Sequence, residues 1–78
     1  MSKYEKLLER IKALDKGLTF EELQKVLQKN GYVAYNSGSS HYTFRKSQME
    51  KITLPRHKPM KIVYIKLVKE ALEQEGIL

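Results

Sequence analysis

Apolar residues recur along this chain with two different periods, and the changes of period mark out the elements. Tyr4, Leu7, Leu8, Ile11 and Leu14 fall on one stripe of a helix. Ser2 and Glu5 stand three residues apart at its start, the spacing of a capping box. Gly17 is expected to end the helix as a left-handed cap. Glu5 and Glu9, like Lys6 and Arg10, are like-charge pairs four residues apart, so burial of the stripe must carry this helix. Thr19 and Glu22 form a second capping box. Phe20, Leu23, Val26 and Leu27 follow at helical spacing, Leu18 is placed to staple onto Leu23, and Asn30-Gly31 stops the helix.

The period then drops to two. Tyr32-Val33-Ala34-Tyr35 is rich in strand formers, and Asn36-Ser37-Gly38-Ser39-Ser40 reads as a turn. From His41 to Lys46 the residues alternate, with Tyr42 and Phe44 on one side and His41, Thr43 and Arg45 on the other. Ser47-Gln48-Met49-Glu50 connects to Lys51-Ile52-Thr53-Leu54, where Ile52 and Leu54 point inward. Pro55 is expected to end the ladder, because it has no N–H to donate. After the basic loop Arg56-His57-Lys58-Pro59-Met60, helical spacing returns. Ile62, Ile65, Val68 and Leu72 make the stripe, Val63, Tyr64 and Leu67 widen it, and Gly76 closes the helix. The predicted order is helix, helix, three antiparallel strands, helix. That is an α+β fold, one domain over residues 1–78, with a three-stranded antiparallel sheet packed on helices.

Composition narrows the function classes. A chain of 78 residues buries only about 60% of its unfolded surface, so the core is small. With no cysteine, disulfides, thiol catalysis and cysteine-ligated zinc are excluded. The longest clearly apolar run, Ile62-Val63-Tyr64-Ile65, is far short of the ~20 residues that span a bilayer. Residues 2–16 are charged throughout, unlike a signal peptide. A cytoplasmic protein with no membrane partner is expected.

Charge sharpens the picture further. The net charge is +6, but it is unevenly spread. Residues 41–69 hold Arg45, Lys46, Lys51, Arg56, Lys58, Lys61, Lys66 and Lys69 against Glu50 alone. Both histidines lie in the same span. A concentrated basic segment is the footprint of a phosphate-backbone binder, although a solvated lysine-rich surface has the same composition.

The candidate chemistry sits at Gly38-Ser39-Ser40-His41, where a small turn delivers a histidine to the start of a strand. An imidazole exchanges protons near neutrality, and beside fixed positive charge it suits work on a phosphodiester. Arg45 shares the His41 face and is shaped to hold a phosphate bidentately. Lys46, Arg56 and Lys58 would steer the backbone. His57 is a second acid–base candidate, not placed near His41 by sequence alone. Tyr32, Tyr35, Tyr42 and Tyr64 are aromatic candidates for base stacking, Tyr42 being core by alternation. Two histidines without cysteine or a nearby carboxylate pair make a poor zinc site, so no metal and no cofactor is expected. From the residues alone, three readings stand open: a nuclease, a non-catalytic RNA or DNA binder, and a protein-interaction module. A lone histidine at a strand edge is, in most proteins, simply a surface residue.

The run from Gly38 to Lys46, followed by Ile52-Thr53-Leu54-Pro55-Arg56-His57-Lys58-Pro59 and an amphipathic helix, resembles the HicA (YcfA-like) mRNA interferase toxins. The likeness extends from about Thr19 to Leu72. It implies a fold like the double-stranded-RNA-binding domain (dsRBD-like, α-β-β-β-α), here with an additional N-terminal helix over residues 2–16. It further implies the toxin half of a type II toxin–antitoxin pair, a metal-independent endoribonuclease cleaving mRNA with a single histidine as acid/base, and a HicB-like antitoxin as partner. The family's catalytic histidine falls on His41, and Gly38, Ser39 and Ser40 form the turn presenting it to RNA. The family's basic loop falls on Arg56, His57, Lys58 and Pro59. Two positions depart from the pattern. Ser47-Gln48-Met49-Glu50 lacks the usual glycine, and Ile62 stands where many relatives open the last helix with proline.

Overall fold

The computed structural model describes residues 2–36 and 38–78; Met1 and Ser37, the latter in the expected turn, lie outside the described residues. The elements run α1 (Lys3–Lys12), α2 (Phe20–Lys29), β1 (Val33–Tyr35), β2 (His41–Arg45), β3 (Ile52–Pro55) and α3 (Ile62–Gln74). This is the α+β order expected, three helices and one antiparallel sheet in the strand order β1-β2-β3.

Both capping boxes form. Ser2 accepts from the Glu5 N–H while Glu5 accepts from the Ser2 N–H, and Thr19 and Glu22 do the same for α2. At the far ends of α2 and α3, Gly31 and Gly76 take left-handed conformations, and the next N–H reaches back to Leu27 and Leu72 respectively. The end of α1 departs from expectation. Leu14, not Gly17, takes the left-handed conformation, with the Leu14 N–H on Ile11 O and the Asp15 N–H on Arg10 O. A left-handed leucine costs about 1–2 kcal/mol of backbone strain. Packing of its side chain against the core offsets that cost, which a glycine three residues later cannot do.

α2 and α3 cover one face of the sheet, and α1 packs on those two helices. Phe44, Ile52 and Leu54 point from β2 and β3 into a core with Ile11, Leu18, Phe20, Leu23, Leu27, Ile65 and Leu72. The Phe20 ring lies 4.9 Å from Tyr42 and 6.1 Å from Phe44, tilted against both. The opposite face has no helix. Val33 and Tyr35 pair with Arg45 and Thr43 there, and Thr53 and His41 complete the row. The expected apolar stripe of α3 is narrower than its sequence suggests. Tyr64 packs on the core, but Val63 is 55% and Leu67 42% exposed, because both turn away from the sheet.

β2 and β3 pair with Tyr42 opposite Leu54 and His41 opposite Pro55. β3 ends at Pro55 as expected, but the missing N–H is not what ends it, and the reason is register. The Arg56 N–H donates to Ser40 O at 2.7 Å, so positions 40 and 56 are a hydrogen-bonded pair. Such pairs alternate with non-bonded ones along an antiparallel ladder, which makes 41 and 55 a non-bonded pair. The Pro55 nitrogen therefore faces the free edge, and its missing hydrogen costs nothing.

In the turn between β2 and β3, which lacks the expected glycine, Gln48 takes φ 67°, and the Met49 N–H donates to Lys46 O. The other departing position, Ile62, is the first helical residue of α3, where proline would also be tolerated. Two clusters of polar contacts brace the core. Arg10 bonds Asp15 and Glu22, each at 2.8 Å, tying α1 to the start of α2. Arg10 and the Gly17 N–H hold the Asp15 carboxyl below the usual carboxylate range. At the other end, Glu75 accepts from the Tyr32 hydroxyl at 2.9 Å and pairs with Lys46.

Two expectations follow from these contacts. Burial, then the hydrogen bond to Glu75, pushes the Tyr32 hydroxyl up to about 12 from 10.0. Folding favours the neutral phenol, so that stabilisation is intact below pH 10 and is lost as pH rises through about 12. An ultraviolet phenolate titration should show one of five tyrosines ionising late, and Tyr32→Phe should remove that phase and cost about 1 kcal/mol. Gln48→Gly relieves a left-handed side chain and should raise stability by roughly 0.5–1 kcal/mol in urea unfolding, after the extra entropy of glycine is allowed for.

Candidate active site at the end of the second and third strands

The turn before β2 is built around Asn36. Its amide donates to Ser39 O at 2.7 Å and to His41 O at 3.0 Å, while its carbonyl oxygen accepts from the Gly38 N–H at 2.9 Å. Gly38 holds φ 91°, a conformation that disfavours any side chain even though a Cβ would meet nothing within 4 Å. The Ser39 hydroxyl accepts from the His41 N–H at 3.1 Å, and Ser40 O takes the Arg56 N–H. The turn is thereby tied at one end to itself and at the other to the loop after β3.

That tie decides where the histidines lie. His41 is opposite Pro55, so His57, two residues on, is its diagonal neighbour across the ladder. Diagonal neighbours stand about 7–8 Å apart at their Cα atoms. The rings of His41 and His57 are 6.2 Å apart between centroids, edge to face. At this distance they do not bond each other, and neither imidazole hydrogen-bonds another described residue. A slot of about 140 Å³ opens there, lined by His41, Pro55, His57, Pro59, Lys61 and Tyr64. On its other side His41 borders an open hollow of about 390 Å³ on the bare sheet face, with Tyr35, Asn36, Ser39, Thr43 and Arg45.

The remaining candidates separate into two groups. Arg45 is on the His41 face, but four strand residues put the two about 13 Å apart. A group bound at Arg45 would therefore be distinct from one bound at His41. Lys58 lies beside His57 in the loop. Lys46 does not join them: it pairs with Glu75 and lies over the Tyr32 ring at the far end of the strand. Arg56 turns to the helix side, 3.3 Å from Glu21 and over the Phe20 ring. The Tyr42 hydroxyl, then Glu21, holds its pKa above the ordinary value. A groove of about 350 Å³ between α1 and α2 contains no histidine.

Sequence reasoning missed Lys61, the N-cap of α3, as a wall of the slot, and named Tyr64 only as a stacking candidate. It also missed Asn36 as the residue that shapes the turn, although asparagine two positions before glycine is a known turn signal. Among the described residues, no group of three or more His, Asp or Glu side chains converges on a point.

A family model described as the HicA toxin of bacterial toxin-antitoxin matches residues 20–77, well over half of the chain. The chain belongs to the HicA toxin family. No match was found among curated proteins or among solved structures. The match spans α2 through α3 and includes both histidines of the slot; α1 precedes it. Membership in a toxin–antitoxin family gives this HicA toxin an antitoxin as partner. Among the described residues no helix is long and apolar enough to cross a membrane.

Removing the Asn36 side chain should loosen the turn without unfolding the domain. Asn36→Ala is expected to cost about 1–2 kcal/mol. Amide hydrogen exchange should accelerate at residues 38–41 and at Arg56, while the core amides of β2 stay protected.

Proposed function

We propose that this HicA toxin is an endoribonuclease that cuts mRNA in the cytoplasm, with His41 as an acid–base group. The observation that carries this reading is the position of His41. It is exposed on the bare sheet face, at the junction of a narrow slot and an open hollow, with cationic side chains on both sides. RNA brings its own nucleophile, the ribose 2′-OH. Cleavage then needs a base for that proton, an acid for the departing 5′-oxygen, and positive charge for the pentavalent phosphorane. An imidazole serves as base or acid near neutral pH. Lys61 supplies charge in the slot, and Arg45 and Lys58 hold the strand on either side. Gly38, Ser39 and Ser40 shape the turn that presents His41. Metal-independent chemistry is sufficient for such a reaction.

A HicB-like antitoxin is the natural partner. It would neutralise the toxin by covering the His41 face, where Val33 and Tyr35 offer apolar contact and Arg45 and Lys51 attract acidic groups.

His41→Ala should keep the thermal unfolding curve and the salt-dependent affinity for RNA. It should lose roughly 10²–10⁴-fold in cleavage rate, together with inhibition of growth on expression. The assay is gel analysis of purified protein on RNA in EDTA. Equal RNA decay by wild type and His41→Ala would sink the reading, and binding without cleavage by either would favour a plain RNA binder.

A further inference from the structure

A reaction with one proton to remove and one to deliver is served best by two groups, and the slot holds two. His41 and His57 face each other at 6.2 Å, with neither ring engaged by another described residue. Both rings are exposed and hydrogen-bond no described residue, so an imidazole here fastens no element in place. One kept for charge alone would be redundant beside Lys58 and Lys61. Two imidazoles with no third ligand do not make a metal site. Pro55 and Pro59 wall the slot with apolar surface, and Pro55 is buried beneath His41. The rings stand too far apart to share a proton directly, and near enough for one phosphodiester to meet both.

We propose that His57 is the second proton carrier of the cleavage, acting on the same phosphodiester from the side opposite His41. The inference rests on the endoribonuclease reading. In the step, O2′ attacks phosphorus and one neutral imidazole takes the 2′-OH proton. The P–O5′ bond breaks, and the other ring, as imidazolium, gives its proton to the departing 5′-oxygen. The products are a 2′,3′-cyclic phosphate and a 5′-hydroxyl, and one proton has moved from ring to ring. Exchange with water restores the pair.

A substrate with a better leaving group tests this. An oligoribonucleotide is made with sulfur replacing the 5′-oxygen at the bond that the wild type cuts. A thiolate departs without being protonated, so this RNA needs the base and not the acid. His57→Gln and His41→Ala should each lose roughly 10²–10⁴-fold on ordinary RNA. On the sulfur RNA, one of the two variants should recover to near the wild-type rate and the other should not. The bell-shaped pH profile of kcat/KM should lose one limb in each variant. The proposal is overturned if His57→Gln stays within a few-fold of wild type on ordinary RNA. It is overturned equally if both variants lose the same factor on both substrates, the mark of phosphate binding alone. A wild type that cuts neither RNA overturns the endoribonuclease reading itself, a result distinct from either.

Discussion

The register of β2 on β3 is the constraint from which the site follows. Phe44, Ile52 and Leu54 all face the helices in this register, and burying each of them contributes about 1.5–3 kcal/mol. A slip of one residue would turn Phe44 to solvent and His41 into the core. No such slip is tolerable in a domain with so few buried side chains. The same register makes 40 and 56 a bonded pair and 41 and 55 a non-bonded one. Proline is allowed at 55 for that reason, and His57 arrives diagonal to His41. The separation of the two imidazoles is thus set by hydrophobic burial on the far side of the sheet.

The helices serve this arrangement by leaving one face bare. α2 and α3 pack against the sheet, and α1 packs on those two helices, adding Leu7 and Ile11 to the core although it precedes the family match. The basic segment is divided by the same geometry. Lys46 and Arg56 point to the helix side and hold Glu75 and Glu21. Arg45, Lys51, Lys58 and Lys61 make no ion pair with a described residue. The charge of the segment is therefore two populations, one that fastens elements together and one that pairs with no described carboxylate.

The elements were legible in the sequence because the forces that make them are local. Both capping boxes, the two glycine stops and the alternation of Tyr42 and Phe44 against His41 and Arg45 are each written within a few residues. What the sequence concealed depends on contacts between distant positions. Taking the missing Pro55 N–H as what ends the ladder hid the 40–56 bond and, with it, the approach of His57 to His41. Whether a proline blocks a strand depends on the side its nitrogen faces, which only the partner strand decides. Lys46 and Arg56 were read by charge as RNA contacts, and their carboxylate partners lie 29 and 35 residues away. Leu14 was read as stripe, not as cap, because the strain of a left-handed leucine is offset only by packing that the sequence does not show.

Catalytic geometry is best kept by rigid elements, and this slot takes one histidine from a strand and the other from a loop. The difference matters less than it first seems, since the loop is not free where it matters. Arg56 is fixed to Ser40 by a 2.7 Å backbone bond, and the turn leading to Ser40 is held by the Asn36 side chain. His57 is one residue from the first anchor and His41 one residue from the same bond on the other strand. A single ladder rung therefore positions both rings, and motion of the loop beyond Lys58 is separated from them by that rung. The outer wall of Pro59, Lys61 and Tyr64 stands beyond that rung and does not set the distance between the two rings.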